Sequence, residues 1–205
     1  FCVRTHLNQP SAAQKGDIRA LHNAAVCYAN GQGAEENWSQ AGKLFEKAAS
    51  KNYAPAQYNL ALCLLRGVGM AKDETRAFQL FKKAAQSDIV GAQYNLACCY
   101  LLGTGTAKNE QKAEPLLHKL AADKHIEASF QYGMLILKTA PTITEKKKAI
   151  EYLTIAAEGG VREAIFNLGV IYSTGRLVPA QHPLAASYFE KAADMGDDQA
   201  AYHFA

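Results

Sequence analysis

Cysteine and histidine side chains are the groups of this 205-residue chain best suited to metal binding, redox chemistry or nucleophilic catalysis. The five cysteines include no CxxC pair, and an odd number of them does not suit a disulfide framework. Among the six histidines, His118 and His125 are close enough in sequence to act together, but only on a helix that continues past Asp123. No arrangement of serine, histidine and aspartate stands out either. We therefore expect surface histidines, no catalytic residue, no metal and no cofactor.

Three Gly-x-Gly sequences, beginning at Gly31, Gly67 and Gly103, are the remaining motif that could hold a ligand. Glycine-rich loops bind phosphate groups when they follow a strand. Here no segment has the alternating pattern of a strand, and each Gly-x-Gly follows a run with helical periodicity. Glycine just past a helix end adopts the left-handed conformation without a Cβ penalty. The motif therefore predicts helix ends.

Composition and charge argue against other classes of function. The net charge is +3, with 22 basic and 19 acidic residues interspersed, and the longest run of like charge is only Lys146 to Lys148. Such a surface does not suit nucleic acid, and no apolar segment reaches the roughly 18 residues of a membrane span. The chain begins at Phe1, which suggests a fragment whose targeting signals lie elsewhere. Its cysteine usage favours an intracellular, reducing compartment.

One period of 36 residues organises the chain. The string from Gln57 to Ala61 recurs as Gln93 to Ala97. Alanines follow the same step at Ala20, Ala56, Ala92, Ala128, Ala164 and Ala200, and bulky apolar residues at Phe45, Phe81, Leu117, Leu153 and Phe189. The predicted divisions are a partial capping segment (1–16), five repeats (17–53, 54–89, 90–125, 126–161, 162–196) and the start of a sixth (197–205).

Each repeat is predicted to form two helices. Helix A of the second repeat covers about Ala56 to Arg66, and helix B begins after Asp73, whose side chain can cap the first turn. Asn37 and Asn109 stand at the equivalent position. Helix B carries one apolar stripe, with paired alanines at its end that allow close approach of the next helix. The pattern predicts an all-α solenoid in which each helix pair is buried against its neighbours.

This pattern resembles the Sel-1-like repeat, a relative of the tetratricopeptide repeat. The resemblance is carried by Ala56-x-Tyr58-Asn59-Leu60-Ala61-xx-Leu64-xx-Gly67-Val68-Gly69 and by Asp73-xxx-Ala77-xxx-Phe81-xx-Ala84-Ala85, and it covers the chain after about Ser11. It implies a right-handed α–α superhelix of about five repeats, with partial repeats at both ends. The departures are Lys138 to Pro141 in place of a glycine loop, Leu177 in place of a second glycine, and Pro115 inside a helix B. At Pro115 we expect a kink or a late helix start.

Three cysteines, Cys27, Cys63 and Cys99, share one helix-A position. Equivalent positions on neighbouring helices lie about 10 Å apart, beyond disulfide reach, so these cysteines are predicted to be small core residues. Cys98 points elsewhere and is the better candidate for a surface thiol.

The resemblance implies a non-enzymatic scaffold or adaptor, for example in signalling, that binds a partner protein. The partner would lay a peptide or an amphipathic helix in the concave groove lined by helix A, and copies of the chain could associate through the solenoid ends. The alternative, suggested for cysteine-rich relatives, is a β-lactamase-like hydrolase, although helix B of this chain offers no cysteine to pair with helix A. A third interpretation is a structural segment of a larger protein.

The groove positions that the resemblance implies are most apolar in repeats two to four. They are Tyr58, Asn59, Leu62, Leu65, Arg66, Tyr94, Asn95, Cys98, Leu101, Phe130, Met134 and Leu137. Either a ligand covers this surface, or tight curvature of the solenoid buries it.

A polar column runs through the same helices: Asn23, Asn59, Asn95, Gln131, Asn167 and His203. Each side chain can donate and accept hydrogen bonds. The column either binds the backbone of a ligand or ties helix A to the backbone of the neighbouring repeat. Tyr58, next to Asn59, is the residue that we expect to face a ligand.

Overall fold

The computed structural model describes residues 17–196, and within this range the chain forms ten α-helices and no strand. In chain order these are α1 (Ile18–Asn30), α2 (Trp38–Ala49), α3 (Ala54–Arg66), α4 (Glu74–Ala85), α5 (Val90–Leu102), α6 (Glu110–Ala122), α7 (Ile126–Thr139), α8 (Ile143–Glu158), α9 (Arg162–Thr174) and α10 (His182–Asp194). The predicted all-α class is confirmed. The predicted capping segment and sixth repeat lie outside the described residues, as does His203.

Odd-numbered helices correspond to the predicted helix A and even-numbered helices to helix B. The chain divides into two compact units between Asn109 and Glu110. In the first unit α1 packs against α2, α2 against α3, α3 against α4 and α4 against α5. In the second unit the four successive pairs from α6–α7 to α9–α10 pack in the same way. Every helix pair thus buries its apolar stripe against its neighbours in sequence.

The predicted helix ends are present in the first unit. Gly67, which follows α3, has a φ of 69°, and its N–H donates to the carbonyl of Cys63. The side chain of Asp73 accepts from the backbone N–H of Arg76 at 2.9 Å and so caps α4. Helix α3 begins at Ala54, two residues before the predicted start, because Pro55 is well suited to a first helical turn.

The second glycine of each loop has a role that periodicity did not reveal. A Cβ atom on Gly69 would lie 2.1 Å from the carbonyl oxygen of Trp38, and one on Gly105 would lie 2.0 Å from that of Glu74. Each loop backbone therefore lies directly against the first turn of helix B in the preceding repeat. Gly33, at the equivalent position of the first repeat, has no such neighbour within 4 Å.

The second unit joins its helices without this glycine. Helix α7 runs to Thr139 and stops at Ala140, whose extended conformation is the one favoured before proline. A capping box between Thr142 and Glu145 then starts α8. Of the two alternatives predicted at Pro115, a kink or a late start, the late start is not observed: α6 begins at Glu110, and the exposed proline lies inside it.

The two repeating apolar positions of helix B form the centre of the packing. The bulky residues at the first position are all buried: Phe45, Phe81, Leu117, Leu153 and Phe189. Burying a side chain of this size stabilises the fold by about 1.5–3 kcal/mol. Alanines at the second position, such as Ala48 and Ala84, have no exposed surface, which permits the close helix approach that the sequence predicts.

Candidate functional site

Nine of the twelve predicted groove residues lie in the first unit, on α3 and α5. Six of them are half-buried and occupy matching positions of the two helices: Tyr58, Leu62 and Leu65 on α3, and Tyr94, Cys98 and Leu101 on α5. These six define a surface that we call the A-face. Asn59 and Asn95 are also half-buried, and Arg66 is exposed.

Tyr58 is largely occupied by packing. Its ring centroid lies 6.1 Å from that of Phe81 on α4. A Cβ atom on Gly91 would lie 2.6 Å from the Tyr58 hydroxyl oxygen, so the side chain also rests against the first turn of α5. The equivalent pairs His22 with Phe45 and Phe166 with Phe189 have ring centroids 5.7 Å apart. This column therefore joins helix A to helix B, and the expectation that Tyr58 faces a ligand stays a prediction.

Helix α5 has an apolar side that packing does not bury. At 3.6 residues per turn, one side within about 120° carries Val90, Tyr94, Cys98, Leu101 and Leu102. The exposed fraction is 50% for Val90 and 77% for Leu102. The opposite side, with Leu96 and Cys99, is buried. The predicted groove positions omit Val90 and Leu102 because they follow columns taken from relatives, although a helical projection places both on this side of α5.

The asparagine column follows neither predicted arrangement uniformly. Asn95 donates from Nδ2 to the carbonyl oxygen of Gly91 at 2.7 Å, and Asn167 donates to that of Glu163 at 2.7 Å. Both bonds close within the same helix, so the predicted tie to the backbone of the neighbouring repeat is wrong at these positions. An i−4 carbonyl is the nearest acceptor for a short polar side chain in a helix. Because Nδ2 makes this bond, the Oδ1 atom of each asparagine faces away from the carbonyl.

Asn59 is the member of the column that links two repeats. Its Nδ2 lies 3.0 Å from Nε2 of His22 on α1, and Nδ1 of His22 lies 3.4 Å from Oδ1 of Asn23. With the Asn23 and Asn59 amides in this orientation, the ring hydrogen lies on Nδ1 and Nε2 accepts from Asn59. This arrangement uses a neutral imidazole. Burial lowers the pKa of His22, with a smaller opposing effect from the Asn23 hydrogen bond.

The predicted surface histidines divide into two groups. His118 and His182 are exposed as expected, whereas His22 and His125 are half-buried, so the prediction is wrong for these two. The ring of His22 packs against Tyr53 at a centroid distance of 5.4 Å. Nδ1 of His125 accepts from the backbone N–H of Ala128 and caps α7. Because α6 ends at Ala122, the two candidate metal ligands do not share a helix.

The four cysteines between residues 17 and 196 are free thiols. Cys63 and Cys99 are buried as predicted, while Cys27 is half-buried. The candidate surface thiol, Cys98, is also only half-buried, and burial raises its pKa against the opposing effect of a hydrogen bond with Tyr94. Burial, with the adjacent Cys98 and Glu74, raises the pKa of Cys99 to about 11. Raised values disfavour the reactive thiolate.

The remaining three predicted groove residues lie in the second unit, on α7. Phe130, Met134 and Leu137 are partly buried and pack against the core cluster around Leu153 and Leu168. The neighbouring Lys138 forms an ion pair with Glu110. These side chains contribute to the packing of the second unit.

Residues 17–196 carry neither a metal-binding cluster nor a membrane-spanning helix. No group of three or more histidine, cysteine, aspartate or glutamate side chains in this range could hold a metal ion. None of the helices in the same range combines the length and apolar character needed to cross a membrane.

Comparison with known proteins identifies the repeat. The model of the Sel1 repeat matches five segments: 18–53, 54–88, 90–125, 126–161 and 162–197. A search of curated protein sequences gave no match.

Several solved structures resemble the chain. A protective antigen of uropathogenic Escherichia coli with an SLR fold is 24% identical over 96% of this chain, with a TM-score of 0.87, and the chain spans 42% of its length. A Sel1 repeat protein from Oxalobacter formigenes is 26% identical over 90% of this chain and 76% of its own, with a TM-score of 0.75. An immunity protein of Pseudomonas aeruginosa is 26% identical over 90% of this chain and 67% of its own, with a TM-score of 0.52. At 24% identity, the first similarity establishes the fold alone.

Proposed function

The chain belongs to the Sel1 repeat family, and from that premise we propose that it is a non-enzymatic scaffold that binds a partner protein through the A-face. Proteins with Sel1 repeats generally act as protein-interaction scaffolds. The observation that carries the proposal is the apolar side of α5, which packing leaves half-buried or exposed.

The partner segment is an amphipathic helix or an apolar peptide. A surface of Leu62, Leu65 and Leu101 with the exposed Leu102 matches apolar side chains spaced three and four residues apart on a partner helix. Aromatic residues and aliphatic side chains at the centre of an interface lose water on binding, which supplies the binding free energy. The exposed apolar side chains at the end of α5 extend this surface.

Two polar side chains beside the A-face can bind polar groups of such a segment and so fix its orientation. Asn95 uses Nδ2 for the Gly91 carbonyl, so its Oδ1 can accept a backbone N–H from an extended ligand. Arg66, exposed at the end of α3, has no ion-pair partner among residues 17–196 and can pair with an acidic residue of the ligand. The preferred partner is therefore an apolar segment with a single acidic residue.

Glutamate substitutions at two A-face positions test the proposal. Leu62→Glu and Leu101→Glu each place a carboxylate in the apolar surface, and each should weaken partner binding at least about tenfold, the effect of losing roughly 1.4 kcal/mol at an interface hot spot. Isothermal titration calorimetry with the purified partner measures the change. Far-ultraviolet circular dichroism and thermal unfolding verify that each variant is folded.

Lys82→Glu is the matched control, because Lys82 is exposed on α4 and does not belong to the A-face. Its affinity should stay within about twofold of that of the unsubstituted protein, as expected for an exposed charge away from the contact. Unchanged affinity of both folded leucine variants would refute the proposal.

The free thiols of Cys63 and Cys99 also support our proposal of a reducing, intracellular compartment. Fractionation of source cells with an antibody to the full-length protein tests it, and recovery from a secreted fraction would contradict it.

A further inference from the structure

An open cavity of about 300 Å³ lies in the first unit, where α2, α3 and α4 meet. Leu60 and Leu80 form part of its apolar lining, and its polar lining includes Gln57, Glu46, Arg76 and Lys83. Gln57 and Leu60 lie on a different side of α3 from Leu62 and Leu65. The cavity is therefore distinct from the A-face, and the inference does not depend on the proposed function.

Gln57 is the buried polar group of this cavity. The residue is 4% exposed, and its amide has no hydrogen-bond partner within residues 17–196 but stays in contact with the water of the cavity. At the equivalent position of the next repeat, Gln93 donates to the carbonyl of Ala85 at 3.4 Å and to the carboxylate of Asp88 at 3.1 Å. A ligand in the cavity can therefore replace this water with a direct hydrogen bond to the Gln57 amide.

Two later repeats carry a different residue at this position. Ser129, two repeats after Gln57, donates to the carbonyl of His125 at 2.9 Å. Ile165, three repeats after, is fully buried and has no polar side-chain atom. The unpaired amide is thus a feature of the second repeat and not of the fold.

The charges around the cavity favour an anion. Glu46 and Arg76 form an ion pair with each other. Lys83 also lines the cavity and has no ion-pair partner among the described residues. The lining therefore has a formal charge of +1, and a carboxylate there can accept charge-assisted hydrogen bonds from Lys83 and from the Gln57 amide.

The second unit shows how the fold closes the corresponding space. Tyr132 and Tyr152, two repeats after Leu60 and Leu80, stand edge to face with ring centroids 4.9 Å apart. His118, two repeats after Glu46, contacts Tyr132 at a centroid distance of 5.2 Å. The chain's own aromatic rings thus fill a position that is lined by smaller apolar side chains in the first unit.

We propose that the cavity between α2, α3 and α4 binds a carboxylate on a short aliphatic stem, held by Gln57 and Lys83 with the stem against Leu60 and Leu80. A volume of about 300 Å³ is at the small end of ligand sites, so one short group fits. The glutamate side chain of a protein partner and a free dicarboxylate share this chemistry.

Nuclear magnetic resonance of the side-chain amide of Gln57, identified by its loss in Gln57→Ser, tests the proposal. Glutarate and a capped peptide with one glutamate among alanines are titrated separately. Saturable shifts of this resonance are expected with at least one of them, and the tighter ligand identifies a free metabolite or a protein side chain as the source. The matching peptide with glutamine should bind roughly tenfold more weakly, because it lacks the charge-assisted bonds.

Leu80→Tyr is the blocking variant, because repeats four and five already carry tyrosine at this position, as Tyr152 and Tyr188. It should keep the thermal stability of the unsubstituted protein and abolish the shifts. Lys83→Gln, at an exposed position, should weaken binding of the carboxylate about tenfold. This variant tests the proposal if Leu80→Tyr does not fold. The proposal is overturned if neither ligand gives a saturable shift, if folded Leu80→Tyr binds equally well, or if Lys83→Gln has no effect.

Discussion

The two units join successive repeats in different ways. In the first unit, Gly69 and Gly105 bring loop backbone against the preceding helix B, and the space between α2, α3 and α4 stays open. In the second unit, the position of these glycines is taken by Pro141 and Leu177, and tyrosine rings pack at the junction of α6, α7 and α8. A single period therefore supports two kinds of junction, one with close backbone contact and the other with packed tyrosine rings.

The same contrast applies to helix A. Phe130, Met134 and Leu137 of the second unit pack against a core cluster, whereas α5 of the first unit keeps apolar side chains at high exposure, Leu102 above all. The second unit also exposes large apolar side chains, Ile143 at 58% most of all, so the contrast is confined to helix A. This difference arises from side-chain choice at equivalent positions of the repeat.

The largest expected effect concerns the backbone junction. Gly69→Ala should lower the free energy of unfolding by about 2–5 kcal/mol, from the left-handed conformation and from the Cβ clash with Trp38. Gly33→Ala has a similar φ but no close neighbour, so only about 1–2 kcal/mol should be lost. Urea unfolding measures both. Equal losses would show that backbone contact does not hold this junction.

Removing the aromatic junction of the second unit should have the next largest effect. The double variant Tyr132→Leu with Tyr152→Leu reproduces the residues of the first unit and should lose about 1–1.5 kcal/mol, through the aromatic pair. Differential scanning calorimetry gives the change. A double variant as stable as the parent would mean that the rings contribute nothing beyond what leucine supplies.

Smaller losses of stability are expected when Asn59 and Asn95 of the first unit are replaced. Asn59→Ala removes the contact with His22 on another repeat and should cost about 1 kcal/mol. Asn95→Ala removes only a bond within its own helix and should cost less than about 0.5 kcal/mol. Chemical denaturation distinguishes the two. The reverse order would assign the column's structural role to Asn95.

The smallest expected effect is the pH dependence that His22 contributes. Its pKa is lower in the folded state, so the unfolded state binds more protons, and stability falls as the pH drops through the ordinary value of about 6.5. His22→Tyr, which matches Tyr58 and Tyr94 of later repeats, should flatten the dependence between about pH 7 and 5. Thermal melts across this range measure it, and an equally steep dependence in the variant would contradict the assignment.

Local signals in the sequence predicted the helices, their glycine ends and the Asp73 cap, because each depends on residues a few positions apart. The features that sequence reasoning did not anticipate depend on neighbouring helices. The contact of Tyr58 with Gly91, the burial of His22 and the unpaired amide of Gln57 result from distances between helices, which a period of 36 residues does not encode. The hydrogen bond of Asn95 does not depend on a neighbouring helix, because its acceptor, the carbonyl of Gly91, lies in the same helix.

Site-specific photo-crosslinking tests the central claim, binding of a partner protein at the A-face, most directly. A photoreactive phenylalanine analogue is placed at Leu62 or Leu101, and at Lys82 as the exposed control. The account predicts crosslinks to the same partner from positions 62 and 101 and none from position 82. Crosslinks from position 82 with none from the two leucine positions would contradict it.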